Sequence, residues 1–352
     1  MSWTGPQNRL NLSRGAWQSL RKVYADQLPA APWKLKAGYG FMSRYLSLLE
    51  KRQSPPLQVP PVFIVGHWRS GTTFLHELLV SDPQFAYPST YACMNPQHFV
   101  MTERGASSLS GNVEVTRPMD AMKISSASPQ EDEFALLCLG ARSPYEAVLF
   151  PQRLRRALEC GDFNALSAVE QQTWKQLTLR FAGQVGSRSP EKVLLLKSPP
   201  HGWRVSVLRE LFPGARFVHI VRNPFDVAAS TRRMWQQLQE IYALTPPPYP
   251  DPMPEIAEFQ AQLLRMTDAA LDGAADACSV RFEDLTEAPH RELERIYATL
   301  NLGDYTGVRP RFEAQLAKTA GHQKNVLKMS DEDRALIRRF SGEAMAKYRY
   351  SP

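Results

Sequence analysis

Cysteine is scarce in this chain: four in 352 residues, at Cys93, Cys138, Cys160 and Cys278. They are scattered, with no C-x-x-C pair and no Cys/His spacing of metal-ligating type, which excludes a disulfide framework and a zinc module. Buried free thiols in a reducing compartment are expected. No window reaches 18 apolar residues, so no transmembrane helix is predicted. Met1 to Leu10 lack the apolar core of a signal peptide. These absences predict a cytoplasmic protein. No internal repeat or low-complexity segment occurs. No Lys/Arg run interleaved with aromatics marks a nucleic-acid surface, so no nucleic acid is expected as partner. The net charge of +7 still favours an anionic ligand of some kind.

Hydrophobic residues make up 43% and charged residues 22% of the chain, ordinary values for a globular protein with a full core. The organising stretch runs from Pro61 to Leu79. A short β-branched and aromatic run ends at Gly66, a polar loop follows, and an amphipathic helix begins near Thr72. Such a strand–loop–helix turns successive backbone N–H groups and a helix N-terminus on one point, where an anion is favoured. Gly66 and Gly71 have the spacing of a P-loop, G-x-x-x-x-G-K-[ST], but position 72 is Thr where a nucleotide-hydrolysing loop has Lys. The cation lies inside the loop instead, at Arg69.

Taken in order, residues 1–58 read as a helical N-terminal extension. Leu35 to Lys51 carries Phe41, Tyr45, Leu46, Leu48 and Leu49 near helical spacing, either covering the main domain or forming a homodimer contact. Ser54 to Pro61 is a stiff proline linker. Residues 59–352 read as one α/β domain. Residues 82–127 look irregular, punctuated by proline and glycine. Ser128-Pro-Gln-Glu131 has the form of a capping box opening a helix through Leu139. Residues 151–186 read as one or two helices with Trp174, Leu177 and Phe181 on one face. Glu191–Lys197, Arg216–Val221 and Cys278–Phe282 read as strands, with helices after the first two. The pattern predicts right-handed βαβ units and a P-loop-like three-layer α/β/α fold around a parallel sheet. Residues 303–328 read as a cation-rich C-terminal lid, and Ser330 caps a final helix.

Three turns at carboxyl ends of predicted strands carry cations or hydroxyls: Arg69-Ser70, Lys197-Ser198 and Arg222. That edge binds ligands in open α/β sheets, and three cationic turns imply several anionic groups on one ligand. Ser230 lies two helical turns beyond Arg222 and adds a hydroxyl.

These motifs resemble those of a known family. Arg69-Ser-Gly-Thr-Thr73 resembles the 5′-phosphosulfate loop of sulfotransferases that use 3′-phosphoadenosine-5′-phosphosulfate (PAPS). Val218 to Pro224, with Ser230, resembles their 3′-phosphate motif. Arg281-Phe-Glu-Asp-Leu285 and the helix after it resemble the later Tyr-Glu-Asp-Leu element, with Phe282 in place of Tyr. Leu195-Leu-Lys197-Ser-Pro resembles the Lys-bearing strand end of the bacterial and tyrosylprotein branches, as does Arg rather than Lys at position 69. The resemblance spans roughly residues 60–330. It implies a PAPS-dependent sulfotransferase acting on a hydroxyl or amine of a small-molecule, lipid or saccharide acceptor, with PAPS as co-substrate and no metal. Arg69 and Lys197 would be catalytic. Arg69, Ser70, Gly71, Thr72, Thr73 and Phe74 would hold the 5′ end of the donor, and Arg222 and Ser230 its 3′-phosphate. Phe282 would pack the adenine, and His322, Lys324 and Lys328 would close from the lid.

Sulfuryl transfer, like phosphoryl transfer, is in-line with a loose transition state, so positioning and electrostatics dominate. Related enzymes with Arg in the loop often place a Glu some twenty residues later. Here Ala86 to Tyr91 has no carboxylate. Candidates for the general base are Glu131 and Glu133, with Asp132, because they open a helix whose next six residues are apolar. Each also reads as an ordinary acidic first-turn residue. His98 and His201 are rivals. Two other functions stay open: a P-loop-like kinase or NTPase, and a non-catalytic nucleotide-binding scaffold.

Overall fold

The computed structural model describes residues 10–27, 54–110, 115–116, 123–319 and 329–351. The expected Leu35–Lys51 helix and His322, Lys324 and Lys328 lie outside them. The chain divides into two compact units. One is Gln58–Tyr87, Ser189–Arg232 and Pro252–Pro352. The other is Met1–Leu57, Pro88–Arg188 and Arg233–Asp251.

The strands among the described residues, in chain order, are β1 (Val62–Val65), β2 (Phe85–Ala86), β3 (Val115–Thr116), β4 (Lys123–Ile124), β5 (Val193–Lys197), β6 (Arg216–Val221) and β7 (Ala277–Arg281). β1 is buried at all four positions and β6 at five of six. Runs that are apolar on both sides need cover on both sides, which a parallel sheet with flanking helices supplies. The first unit has this sheet, in the order β2-β5-β1-β6-β7, with every pairing parallel. The expected central parallel sheet with helices is therefore present.

Alternation along the strands assigns the two faces. On one, Val62, Ile64, Leu195, Val218 and Ile220 pack with Leu75 and Leu78 of the Thr72–Leu79 helix. Leu293, Ile296 and Tyr297 of the Pro289–Thr299 helix, and Phe312 of the Tyr305–Thr319 helix, complete that core. On the other, Phe63 lies 5.5 Å from Phe217 and 5.7 Å from Phe212, ring centre to ring centre. The edge of His201 meets Phe63 at 5.4 Å. Each such fully buried side chain contributes about 2–3 kcal/mol of burial free energy. The Met253–Leu271 helix packs against the Pro199–Trp203 turn and the Asp331–Lys347 helix.

The other unit is helical, with the β3–β4 antiparallel ribbon. Ser13 caps the Arg14–Val23 helix through its Oγ, and its own N–H donates to Cys138 O. Tyr24 stacks on Phe150 at 4.1 Å and donates its hydroxyl to Glu146. Arg142 grips Glu146 with two N–H groups, at 2.8 and 3.0 Å, and reaches Glu170 with a third. A buried carboxylate is tolerated in such bidentate pairing.

Local departures from the sequence reading have physical causes. Residues 82–127 are less irregular than expected: they hold β2, the Thr90–Met94 and Phe99–Ser110 helices, and the ribbon. The helix after Ser128 begins only at Asp132, with Glu131 at its N-cap and no side-chain cap. Ser128 O accepts from Thr90 N–H, Gln130 N–H donates to Pro88 O, and Pro129 forms a bridge with Ser89. These bonds hold residues 128–130 extended. The capping box lies instead at Ser167 and Glu170, opening the Ala168–Gly186 helix. Within the expected lid, Tyr305–Thr319 is a helix. Phe282 leaves β7 and starts a helix through Glu287.

Candidate active site

β1 ends at Gly66, whose φ is 154°. A Cβ there would sit 2.4 Å from Ile220 O, so only glycine lets the loop leave the sheet this close to β6. At the far end, Gly71 has φ 101° and a Cβ would meet the Phe282 ring at 2.3 Å. Between them Arg69 takes the left-handed region at φ 66°, rare for a residue with a side chain. Ser70 donates both its N–H and its hydroxyl to His67 O, at 3.1 and 2.8 Å, which closes the turn.

The Thr72–Leu79 helix starts without a side-chain cap and without an acidic residue in its first turn. Its first intrahelical bond is Leu75 N–H to Gly71 O. The N–H groups of Thr72, Thr73 and Phe74 precede that bond and sit at the positive end of the helix dipole. That is an anion cradle.

The three expected cations stand at the carboxyl ends of three adjacent strands: Arg69 after β1, Lys197 ending β5, Arg222 after β6. Lys197 is only 2% exposed, and its ammonium donates to Thr73 Oγ1 at 3.4 Å. Arg69 Nε donates to Ser230 Oγ at 2.9 Å. Arg222 donates to Arg69 O at 3.4 Å and to Asp226 at 3.2 Å, and lies over the Phe282 ring at 4.6 Å. Phe74 meets Phe282 edge-on at 6.2 Å. The structure thus brings together Arg69, Ser70, Gly71, Thr72, Thr73, Phe74, Lys197, Arg222, Ser230 and Phe282.

Neighbouring groups set the polarity behind the loop. His67 directs Nδ1 to Trp68 O at 2.9 Å, and burial pushes its pKa down to about 4. His219, in β6, is pushed to about 4 by desolvation, against the opposing pull of Asp268. Both imidazoles are neutral at pH 7. Sequence reasoning missed Asp226, the i+4 partner of Arg222. It also missed Glu283, which accepts from Asn223 N–H at 3.2 Å. The signal for Glu283 was present in the Arg281–Leu285 motif, but only the sheet pairing of β6 with β7 shows which turn it reaches.

Of the base candidates, Glu131, Asp132, Glu133 and His98 belong to the helical unit and His201 to the sheet unit. Asp132 and Glu133 are buried. Glu131 accepts from the hydroxyl of Tyr145, whose ring stacks on Phe134 at 4.3 Å. At His98, Thr102 donates its one hydroxyl proton to His98 O and accepts from Tyr91. His98 Nδ1, 2.8 Å from Thr102 Oγ1, must therefore be the donor, which leaves the lone pair on Nε2. Burial lowers the pKa of His98, so the ring is neutral at pH 7. His201 is fully buried against Phe63, a core position. Among the described residues no cluster of three or more His, Cys, Asp or Glu forms a metal site, and no helix is long and apolar enough to cross a membrane.

The profile of the Sulfotransferase family matches residues 60–306, which include the cradle and all three cationic turns. The chain belongs to the sulfotransferase family. It is 38% identical over 293 residues to the omega-hydroxy-beta-dihydromenaquinone-9 sulfotransferase Stf3 of Mycobacterium bovis, covering 83% of this chain and 75% of that one. The Stf3 of Mycobacterium tuberculosis matches equally. In fold, this sulfotransferase resembles STF9 of Mycobacterium avium, with a TM-score of 0.67 at 17% identity, covering 97% of this chain and 93% of that one. It also resembles STF1 of M. tuberculosis H37Rv, with a TM-score of 0.61 at 18% identity, covering 94% and 92%.

Proposed function

We propose that this sulfotransferase takes the sulfuryl group from PAPS and transfers it in line to a hydroxyl of an apolar small molecule or lipid. The convergence of Arg69, Lys197 and Arg222 on three adjacent strand ends, beside an uncapped helix N-terminus, carries the reading. PAPS supplies an activated sulfuryl group at the outer end of its 5′-phosphosulfate and carries a separate 3′-phosphate, and the residues present suit such a molecule. The Thr72–Phe74 amides and the hydroxyls of Thr72 and Thr73 would bind the 5′-phosphosulfate. Arg69 and Lys197 would offset charge growing on the leaving oxygen, the task that dominates such reactions. Arg222 and Ser230 would hold the 3′-phosphate, and Phe282 with Phe74 would flank the adenine. The hydroxylated menaquinone in the name of the Stf3 relatives supports an apolar acceptor bearing a hydroxyl.

Adenosine 3′,5′-bisphosphate is expected to bind at micromolar or tighter affinity and ATP–Mg²⁺ at least 100-fold more weakly, by calorimetry. The reverse order would favour a nucleotide kinase. Labelled sulfate should pass from PAPS into a lipid extract; binding without transfer would favour a scaffold.

Removal of the acceptor proton is assigned to one of Glu131, Asp132, Glu133 and His98. The variants Glu131→Gln, Asp132→Asn, Glu133→Gln and His98→Asn separate them. The base is the one whose loss lowers kcat by about 100-fold or more with bisphosphate affinity unchanged.

A further inference from the structure

The Asp331–Lys347 helix closes in a specific way. Tyr350 N–H donates to Met345 O at 2.8 Å, and Arg349 N–H to Ala346 O at 3.2 Å. This is a Schellman closure, with Arg349 at φ 57° in the left-handed place usually given to glycine. The reversal turns Tyr350 back onto its own unit, where it is 8% exposed. Its hydroxyl donates to Glu283 Oε2 at 2.8 Å, and Arg281 lies over its ring at 4.7 Å.

The second oxygen of Glu283 accepts from the backbone N–H of Asn223. Asn223 sits between Arg222 and the helix start at Pro224, and its side chain is committed to Phe225 N–H at 3.0 Å. Its own amide is thus held from outside the turn, by Glu283. Two consecutive residues grip two others: Phe282 lies under the Arg222 guanidinium, and Glu283 holds the next amide.

We propose that Tyr350 is a positioning residue for donor binding: by orienting Glu283 it fixes the Asn223 amide, and with it the aim of Arg222. The inference rests on the reading of Arg222 as the 3′-phosphate ligand. The hydroxyl, rather than the ring, makes the link. A phenylalanine would fill the same volume, but would remove the hydroxyl's bonds to Glu283 and to Arg281, leaving Glu283 held by the Asn223 amide and the nearby Arg281 charge alone. A charge-assisted bond to a carboxylate is strong enough to select one rotamer of Glu283.

The test uses Tyr350→Phe in the full chain, with two readouts. In ligand-free protein, exchange of the Asn223 amide should speed up about tenfold while amides of β1 and β6 keep their protection. Affinity for adenosine 3′,5′-bisphosphate should fall about 5- to 10-fold, and donor KM should rise similarly with kcat within twofold. The thermal midpoint should move by no more than a few degrees. In a Glu283→Gln background, which loses the carboxylate, Tyr350→Phe should add no further loss. Wild-type exchange at Asn223 in Tyr350→Phe overturns the proposal. So does an affinity loss accompanied by a general loss of protection, since that marks a structural role. If the wild-type protein does not bind the bisphosphate, the 3′-phosphate reading falls, and the exchange measurement alone decides the relay.

Discussion

Arg69 holds a left-handed backbone that costs a residue with a side chain about 1–3 kcal/mol. The cost is met by closure of the turn on His67 O and by the bond from Arg69 to Ser230, 161 residues away in sequence. The result is a cation whose direction is set by its own main chain. Replacing Arg69 with Ala should lower kcat/KM by about 10³-fold or more, the scale seen for cations that meet transition-state charge in phosphoryl transfer. Steady-state assay with PAPS checks this; full-rate Arg69→Ala enzyme would sink the mechanism. Arg222→Ala should act differently. It should weaken bisphosphate binding about 10- to 100-fold, the size of one charge-assisted contact, with a smaller effect on kcat. Calorimetry and single-turnover kinetics separate the two roles.

Ser128–Glu131 and Ser167–Glu170 share the pattern Ser-x-x-Glu, and of these two only the second is a capping box. Ser128 to Glu131 matches it, but bonds from Thr90 and to Pro88 hold its backbone extended. Ser167 to Glu170 has no such competitor and forms the box. The pattern is local, while its outcome depends on neighbours distant in sequence. The same division separates what was legible from what was not. The β1–loop–helix cradle, the Lys197 and Arg222 turns and the position of Ser230 follow from short-range spacing, and were readable. The bonds from Arg69 to Ser230 and from Glu283 to Asn223 depend on strand order, which no local spacing encodes. Residues 82–127 read as irregular because proline and glycine punctuate the stretch, yet helices of 5 and 12 residues form between and through them, the longer one continuing across Gly105. At this scale Ser167→Ala should cost about 1 kcal/mol. The cost should appear as a lower urea midpoint with no change in bisphosphate affinity.

For the molecule as a whole, the neutral imidazoles predict an acid limit to stability. His219 has a folded pKa near 4, against about 6.5 when unfolded. The unfolded chain therefore binds the proton first as pH falls. Stability contributed by the neutral ring is complete above about pH 6.5 and is lost progressively down to about pH 4, at a cost of about 3 kcal/mol. His67 acts in the same direction. The thermal midpoint should fall steadily between pH 6.5 and 5, and His219→Gln should flatten that slope. An unchanged slope in the variant would remove His219 as its source.

The strand order has a consequence for synthesis. β1 lies between β5 and β6, and both follow it by more than 120 residues. At about 10 residues per second a ribosome needs over 12 seconds to make the first of these neighbours. Throughout that interval the apolar run Val62–Val65 has no partner edge, and the loop after it cannot acquire its arginine clamp. The cradle is thus written early and assembled late. Its nascent chain is a natural client for chaperones that shield extended apolar segments.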